Sequence, residues 1–271
     1  MFEVTHKPTL FGGLKTRWYL SQAARAAGAA GANEFVAQPQ PRPMSNAARG
    51  RQLVAGNVLC TGHLLDLNGD GLWSVSFPSD AFGDEMHGFT WLDDLAALGT
   101  DKAHTTANRW VQDWIDMYGR GRGPGWRADV IGRRLIRWVN HGLLLLAAAD
   151  KNQSDRYFAS LSQQTIFLAR VWGQSPLGVG RFESLAGVIY AGLALKNLGH
   201  VVGPALAAFE RECDGQVDAT GGIPTRNPQD LLQVFTLCTW VAQGLEQAGE
   251  PLPAPIYHFR ILGNIRNIGH A

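Results

Sequence analysis

The chain has 271 residues, 45% of them hydrophobic and 17% charged, which is ordinary for a water-soluble domain and long enough for a sizeable core. A formal net charge of +1 excludes a global field that would recruit nucleic acid or a membrane surface, so an anionic partner has to be held by a local patch. Cys60, Cys213 and Cys238 are too few and too widely spaced for a disulfide framework or a zinc motif, and neither metal nor cofactor is expected.

The N-terminus lacks a signal-peptide pattern. Lys7, Lys15 and Arg17 are basic, but no compact apolar run follows them. The longest pure apolar run, residues 143–149, is too short to span a bilayer, and the expected location is cytoplasmic. Residues 1–50 read as an irregular segment, with a helix over 14–30 weakened by Gly28 and a proline-rich linker over 38–43. A unit at 51–80 reads as a β-hairpin, in which 58–60 and 72–77 flank the turn Asn68-Gly69-Asp70-Gly71. Asp66, Asn68, Asp70 and Gly71 also match the opening of a calcium loop. The twelfth position is Phe77 instead of a bidentate Glu, which favours a plain turn.

From Asp84 onward the period is helical. Ala107, Trp110, Val111, Trp114, Ile115 and Tyr118 form one apolar stripe, and Gly119 stops it. Further helices are expected over 130–149, 153–172 and 202–213. The stretch 183–198 is apolar nearly all round, as a buried inner helix would be. The last helix opens with Asn227 as N-cap, Pro228 at N1 and Asp230 at N3. Helix pairs begin near 84, 130, 183 and 227, a period of roughly 45–50 residues that indicates a solenoid, toroid or bundle over 81–250. A tail, 251–271, follows.

Four segments then occur in order: His87-Gly88-Phe89-Thr90-Trp91-Leu92-Asp93-Asp94-Leu95; Trp126 with Arg133-Arg134-Leu135-Ile136-Arg137-Trp138; Ser184 to Gly192; and Asp218 to Pro228. Together they resemble the heparinase II/III-like polysaccharide lyases. The resemblance implies a mainly α fold, an incomplete α/α toroid of helical hairpins, here with a small N-terminal β-hairpin. It also implies β-elimination on uronate-containing polysaccharides. That reaction needs a neutralised carboxylate, a base and an acid. The family is implied to supply an Asn, often Asn-His, before the inner helix, a Tyr after a Gly-Gly segment and a His from a following β-sandwich. Here the pair falls on Val179-Gly180 and the Tyr on Asp230, and no run of strands follows residue 250. Tyr190 or Tyr257 would serve under a shifted alignment, with nothing to prefer either. No catalytic residue is assigned.

Arg120, Arg122, Arg127, Arg133, Arg134 and Arg137 cluster with Trp126 and Trp138. Arginine forks pair with carboxylate or sulfate and indoles stack on sugars, so the cluster reads as an anionic glycan groove or as a solvated helix face. The expected substrate-binding set is His87, Trp91, Trp126, Arg134, Arg226 and Asn227. His87, Trp126, Arg134 and Arg226 are expected to share one concave surface. His87 and His141 each also have a structural reading as hydrogen-bonded histidines. Two function classes stay open. One is a lyase relative that binds an acidic polysaccharide or oligosaccharide and is inactive as an isolated chain. The other is a non-catalytic scaffold that binds a protein or a second copy at the toroid edge, where Ile256, Phe259 and Ile261 would seek a surface.

Overall fold

The computed structural model describes residues 10–37, 45–147, 149–218 and 222–256. The linker at 38–43, Gly221, Tyr257, Phe259 and Ile261 lie outside them. In chain order the elements are α1 (Leu10–Ala30), α2 (Ala47–Val54), β1 (Asn57–Cys60), β2 (His63–Asp66), α3 (Asp80–His87), α4 (Trp91–Leu98), α5 (Asp101–Tyr118), α6 (Ala128–Asn140), α7 (Gly142–Ala147), α8 (Lys151–Val171), α9 (Val179–Ala194), α10 (Val202–Gln216) and α11 (Pro228–Ala248). The fold is mainly α, a set of helical hairpins with one small antiparallel sheet, as the residue pattern predicts.

Helix α9 is the hub. Every residue from Phe182 to Gly192 is buried, and the helix packs against α6, α8, α10 and α11. Its closest approach is to α6. A Cβ on Gly132 would lie 2.3 Å from the Glu183 carbonyl oxygen, and one on Gly187 would lie 2.7 Å from the Gly132 Cα. Two glycines therefore set the spacing of the central helix pair. The Ala107–Trp114 stripe of α5 is buried as its period dictates. The helix starts are chemically marked: Ser79, Thr100 and Asn227 each accept a backbone N–H, and Asp150 with Gln153 forms a full capping box on α8.

Three expectations are corrected. The sheet pairs Asn57 with Asp66 and Cys60 with His63, around Thr61 and Gly62. Both turn residues have positive φ, 48° and 78°, the requirement of a tight two-residue hairpin. Residues 72–77 are not a strand. Asp66 Oδ1 instead accepts from Asn68 N, turning the chain inward, and Leu72 and Trp73 plug the core, with Trp73 Nε1 donating to Trp110 O at 2.7 Å. The helix expected over 130–149 breaks at His141, whose Nε2 lies 2.7 Å from Asp93 Oδ1. Residues 1–50 are not irregular throughout, since α1 buries Ala23 and Ala27 and packs on α8.

Candidate functional site

Four of the six expected binding residues are interior. Arg134 is 0% exposed. Its Nε donates to Gln164 Oε1 at 2.6 Å, and its Nη1 donates to His87 O at 2.8 Å and Gly125 O at 2.9 Å. The guanidinium carbon sits 4.1 Å from the centroid of the Trp114 ring. Trp114 Nε1 in turn donates to His87 Nδ1 at 3.0 Å, which places the imidazole proton on Nε2 and keeps the ring neutral. Burial, reinforced by the Arg134 charge, lowers the His87 pKa to about 4. Trp126 stacks on Trp114 and donates to Tyr118 O, while Trp91 Nε1 donates to Met86 O. This knot ties α3, α5, α6 and α8 to the turn at Pro124–Trp126. His87, Trp91, Trp126 and Arg134 therefore do not line a concave surface. Their side chains are buried in the core.

Most of the remaining arginines are neutralised by acids brought from distant helices. Arg127 pairs with Asp84 at 2.7 Å and Asp129 at 2.6 Å. Arg133 pairs with Glu85 at 2.8 Å and lies 3.5 Å from Glu183. Arg137 pairs with Asp93 at 3.1 Å. Burial raises the Glu183 pKa to about 7 against the pull of Arg133 and Arg137. Burial also raises that of Asp93, but Arg137 and His141 outweigh it and leave its carboxyl below the usual value. Arg120, Arg122 and Arg127 are the exposed cluster members, and of these Arg127 is ion-paired. An anionic glycan groove built on this cluster has few free cations to offer.

Arg226 and Asn227 stand elsewhere, in the exposed loop before α11. Arg226 has a positive φ of 52° and pairs with Asp218 at 3.2 Å. Asn227 caps α11 through Gln229 N, and its Nδ2 donates to Asp230 Oδ1 at 2.9 Å. Among the described residues, no hydrogen bond or ion pair joins this pair to the buried knot around Arg134.

That loop forms one wall of a cleft of about 580 Å³. The other wall is the chain entering α9, where Gly178, at φ 82°, turns Pro176 and Leu177 outward before Val179 begins the helix. Arg181 fixes the entry by pairing with Glu212 of α10 at 2.9 Å, and Ser175 Oγ meets Ser184 Oγ at 2.5 Å. The apolar lining includes Leu177, Val179, Phe182, Ile223 and Val234, and Leu177 is 72% exposed. Polar groups come from Gln216, Thr225, Asp230 and Gln233. Among the described residues the lining includes no His, Tyr, Lys or Arg. Val179, Gly180 and Asp230, the positions onto which the lyase resemblance projects a carboxylate-neutralising pair and a Tyr, thus meet in one cleft. Their side chains supply one carboxylate and neither a cation, an amide nor a phenol. Tyr190 offers no substitute, being fully buried on α9 with no hydrogen-bond partner for its hydroxyl among the described residues; burial pushes its pKa up. Residue-by-residue reading missed this cleft. Its signal was apolar residues in loops, Leu177 and Ile223, where polar ones would be ordinary.

The fold is that of the helical part of a heparan sulfate lyase. The crystal structure of heparan sulfate lyase HepC from Pedobacter heparinus superimposes with a TM-score of 0.63 at 14% identity, over 93% of this chain and 43% of that one. A mutant of that enzyme gives a TM-score of 0.65 at 13% identity, over 95% and 44%. In sequence, the chain is 29% identical over 217 residues to FtsZ-localized protein C of Caulobacter vibrioides, covering 79% of this chain and 37% of that protein. No family model matches the chain. It spans less than half the length of each of these proteins.

Proposed function

We propose that the chain is a non-catalytic toroid module that docks onto a protein, in the setting from which the related FtsZ-localized protein C takes its name, and that the cleft at the head of α9 is the docking site. The observation that carries this reading is the lining of the cleft. At the lyase positions stand Val179, Gly180 and Asp230, framed by Leu177, Phe182, Ile223 and Val234. An apolar cleft with one carboxylate and no cation suits a protein side chain better than a uronate. β-Elimination loses about 10²-fold or more for each missing acid, base or neutralising group, so turnover is not expected. The internal pairing of Arg127, Arg133 and Arg137 also argues against an acidic polysaccharide as the main ligand.

The test is direct binding of purified FtsZ to the immobilised chain. Binding is expected, with Leu177→Asp weakening it by about tenfold, the loss of one buried apolar anchor. Leu177 is 72% exposed, so this change leaves the fold intact, as unaltered helicity will verify. Absence of FtsZ binding would refute the reading. So would release of unsaturated uronates, followed by ultraviolet absorbance, from heparan sulfate.

A further inference from the structure

We infer that the protein segment taken by the cleft at the head of α9 carries an apolar residue and, two positions from it, a lysine or arginine that pairs with Asp230; the inference rests on that cleft being the docking site. The cleft has an apolar floor and an uneven rim. Phe182 and Val234 are 0% exposed and Ile223 is 5% exposed, and they form the floor. Leu177 stands on the rim where the chain enters α9, whereas Asp230 and Gln233 stand on the side of α11. Gln233 is exposed and Asp230 half-buried.

Charge around the cleft is not balanced. Arg181 is matched by Glu212 at 2.9 Å, and Arg226 by Asp218 at 3.2 Å. Asp230 Oδ1 accepts from the neutral amide of Asn227, and among the described residues no cation forms an ion pair with Asp230. A carboxylate at the mouth of an apolar cleft repels an acidic segment and gains nothing from a neutral one, so it selects by charge among segments that fill the floor equally well. A cation is the complement, and its long apolar stem lies along the cleft wall while its head reaches the carboxylate. The spacing follows from chain geometry. In an extended segment, side chains two positions apart lie on the same side, about 7 Å from one another. One then enters the floor while the other meets the rim, a spacing that a cleft of about 580 Å³ accommodates.

The experiment measures binding of the full chain to purified FtsZ and to an array of short overlapping FtsZ segments. The segments retained are expected to contain the apolar and basic pair. Asp230→Asn keeps an oxygen for the Asn227 amide and is expected to weaken FtsZ binding about fivefold, and Asp230→Lys about tenfold or more, both with unchanged helicity. Replacing the basic residue of a retained segment by glutamate is expected to abolish its binding to the parent chain and restore it to Asp230→Lys. A helix-start role alone would lower stability and leave the choice of segment unchanged. FtsZ binding that responds to Leu177→Asp but not to Asp230→Lys, or retention of only acidic or neutral segments, would overturn the inference and leave the docking reading standing. Absence of FtsZ binding would overturn both.

Discussion

Arg134 holds a full charge among neutral acceptors. Its partners are a glutamine oxygen and two main-chain carbonyls, and Trp114 supplies the face beneath it. Burial works against that charge, and its pKa lies well below the ordinary arginine value. The planar fork is what reaches three acceptors from one position. Arg134→Lys is therefore expected to cost about 2–4 kcal/mol, because it leaves buried acceptors unmatched. Urea unfolding measures this directly. Two other buried groups give the protein opposing responses to acid. His87 has a folded pKa of about 4, below its ordinary 6.5, so its contribution is present above pH 6.5 and is lost as pH falls through 4. Glu183 has a folded pKa of about 7, above its ordinary 4.5, so its contribution is present below 4.5 and is lost as pH rises through 7. Between pH 5 and 6.5 the two slopes oppose one another. Glu183→Gln removes the falling one, and its stability, read from urea midpoints, is expected to climb more steeply with pH than that of the parent. Equal slopes would mean that Arg133 holds Glu183 ionised throughout.

Between elements, small residues decide what can approach. Helices α6 and α9 pass so closely at Gly132 and Gly187 that an added methyl meets backbone, which cannot rotate away. Gly132→Ala is expected to cost about 3 kcal/mol through a forced shift of the helix pair. Gly28→Ala is the contrast. It lies in α1 with no atom within 4 Å of its new methyl, and it is expected to stabilise by about 0.5–1 kcal/mol through helix propensity. Thermal unfolding of the two variants separates packing from propensity. At this scale much was legible in the residues. The all-round apolar character of α9 marked it as the inner helix, and the Asn227-Pro228 start marked α11 to the residue. The hairpin was misplaced because Asn68-Gly69 is the stronger local turn signal, whereas the pairing closes on Thr61-Gly62. At the break His141 meets Asp93, 48 residues earlier, and Gly142 leaves room for Phe35, a pair of long-range contacts that the apolar run 143–149 does not reveal.

Across the whole molecule, long-range partners also explain why the site was harder to read than the fold. The arginines near residue 130 have the residue types of a glycan groove, but Asp84, Glu85 and Glu183 arrive from α3 and α9 to neutralise them. The cleft, conversely, is assembled from residues 176–182, 215–216 and 223–234, none of which carries a chemical motif alone. No helix among the described residues is long and apolar enough to cross a membrane. The N-terminal region is tied to the end of α9: Asn197 Nδ2 donates to Ala30 O, Val36 N donates to Ala194 O, and Lys196 Nζ meets Glu34 Oε1 at 2.5 Å. The Ala30–Asn197 contact spans 167 residues. At a synthesis rate of about 5–20 residues per second, α1 emerges roughly 8–30 s before the end of α9 exists to receive it. Until α8 is made, the side of α1 carrying Ala23 and Ala27 lacks its main packing neighbour. Helix α1 is thus made well before the part of α9 that fixes its C-terminal end.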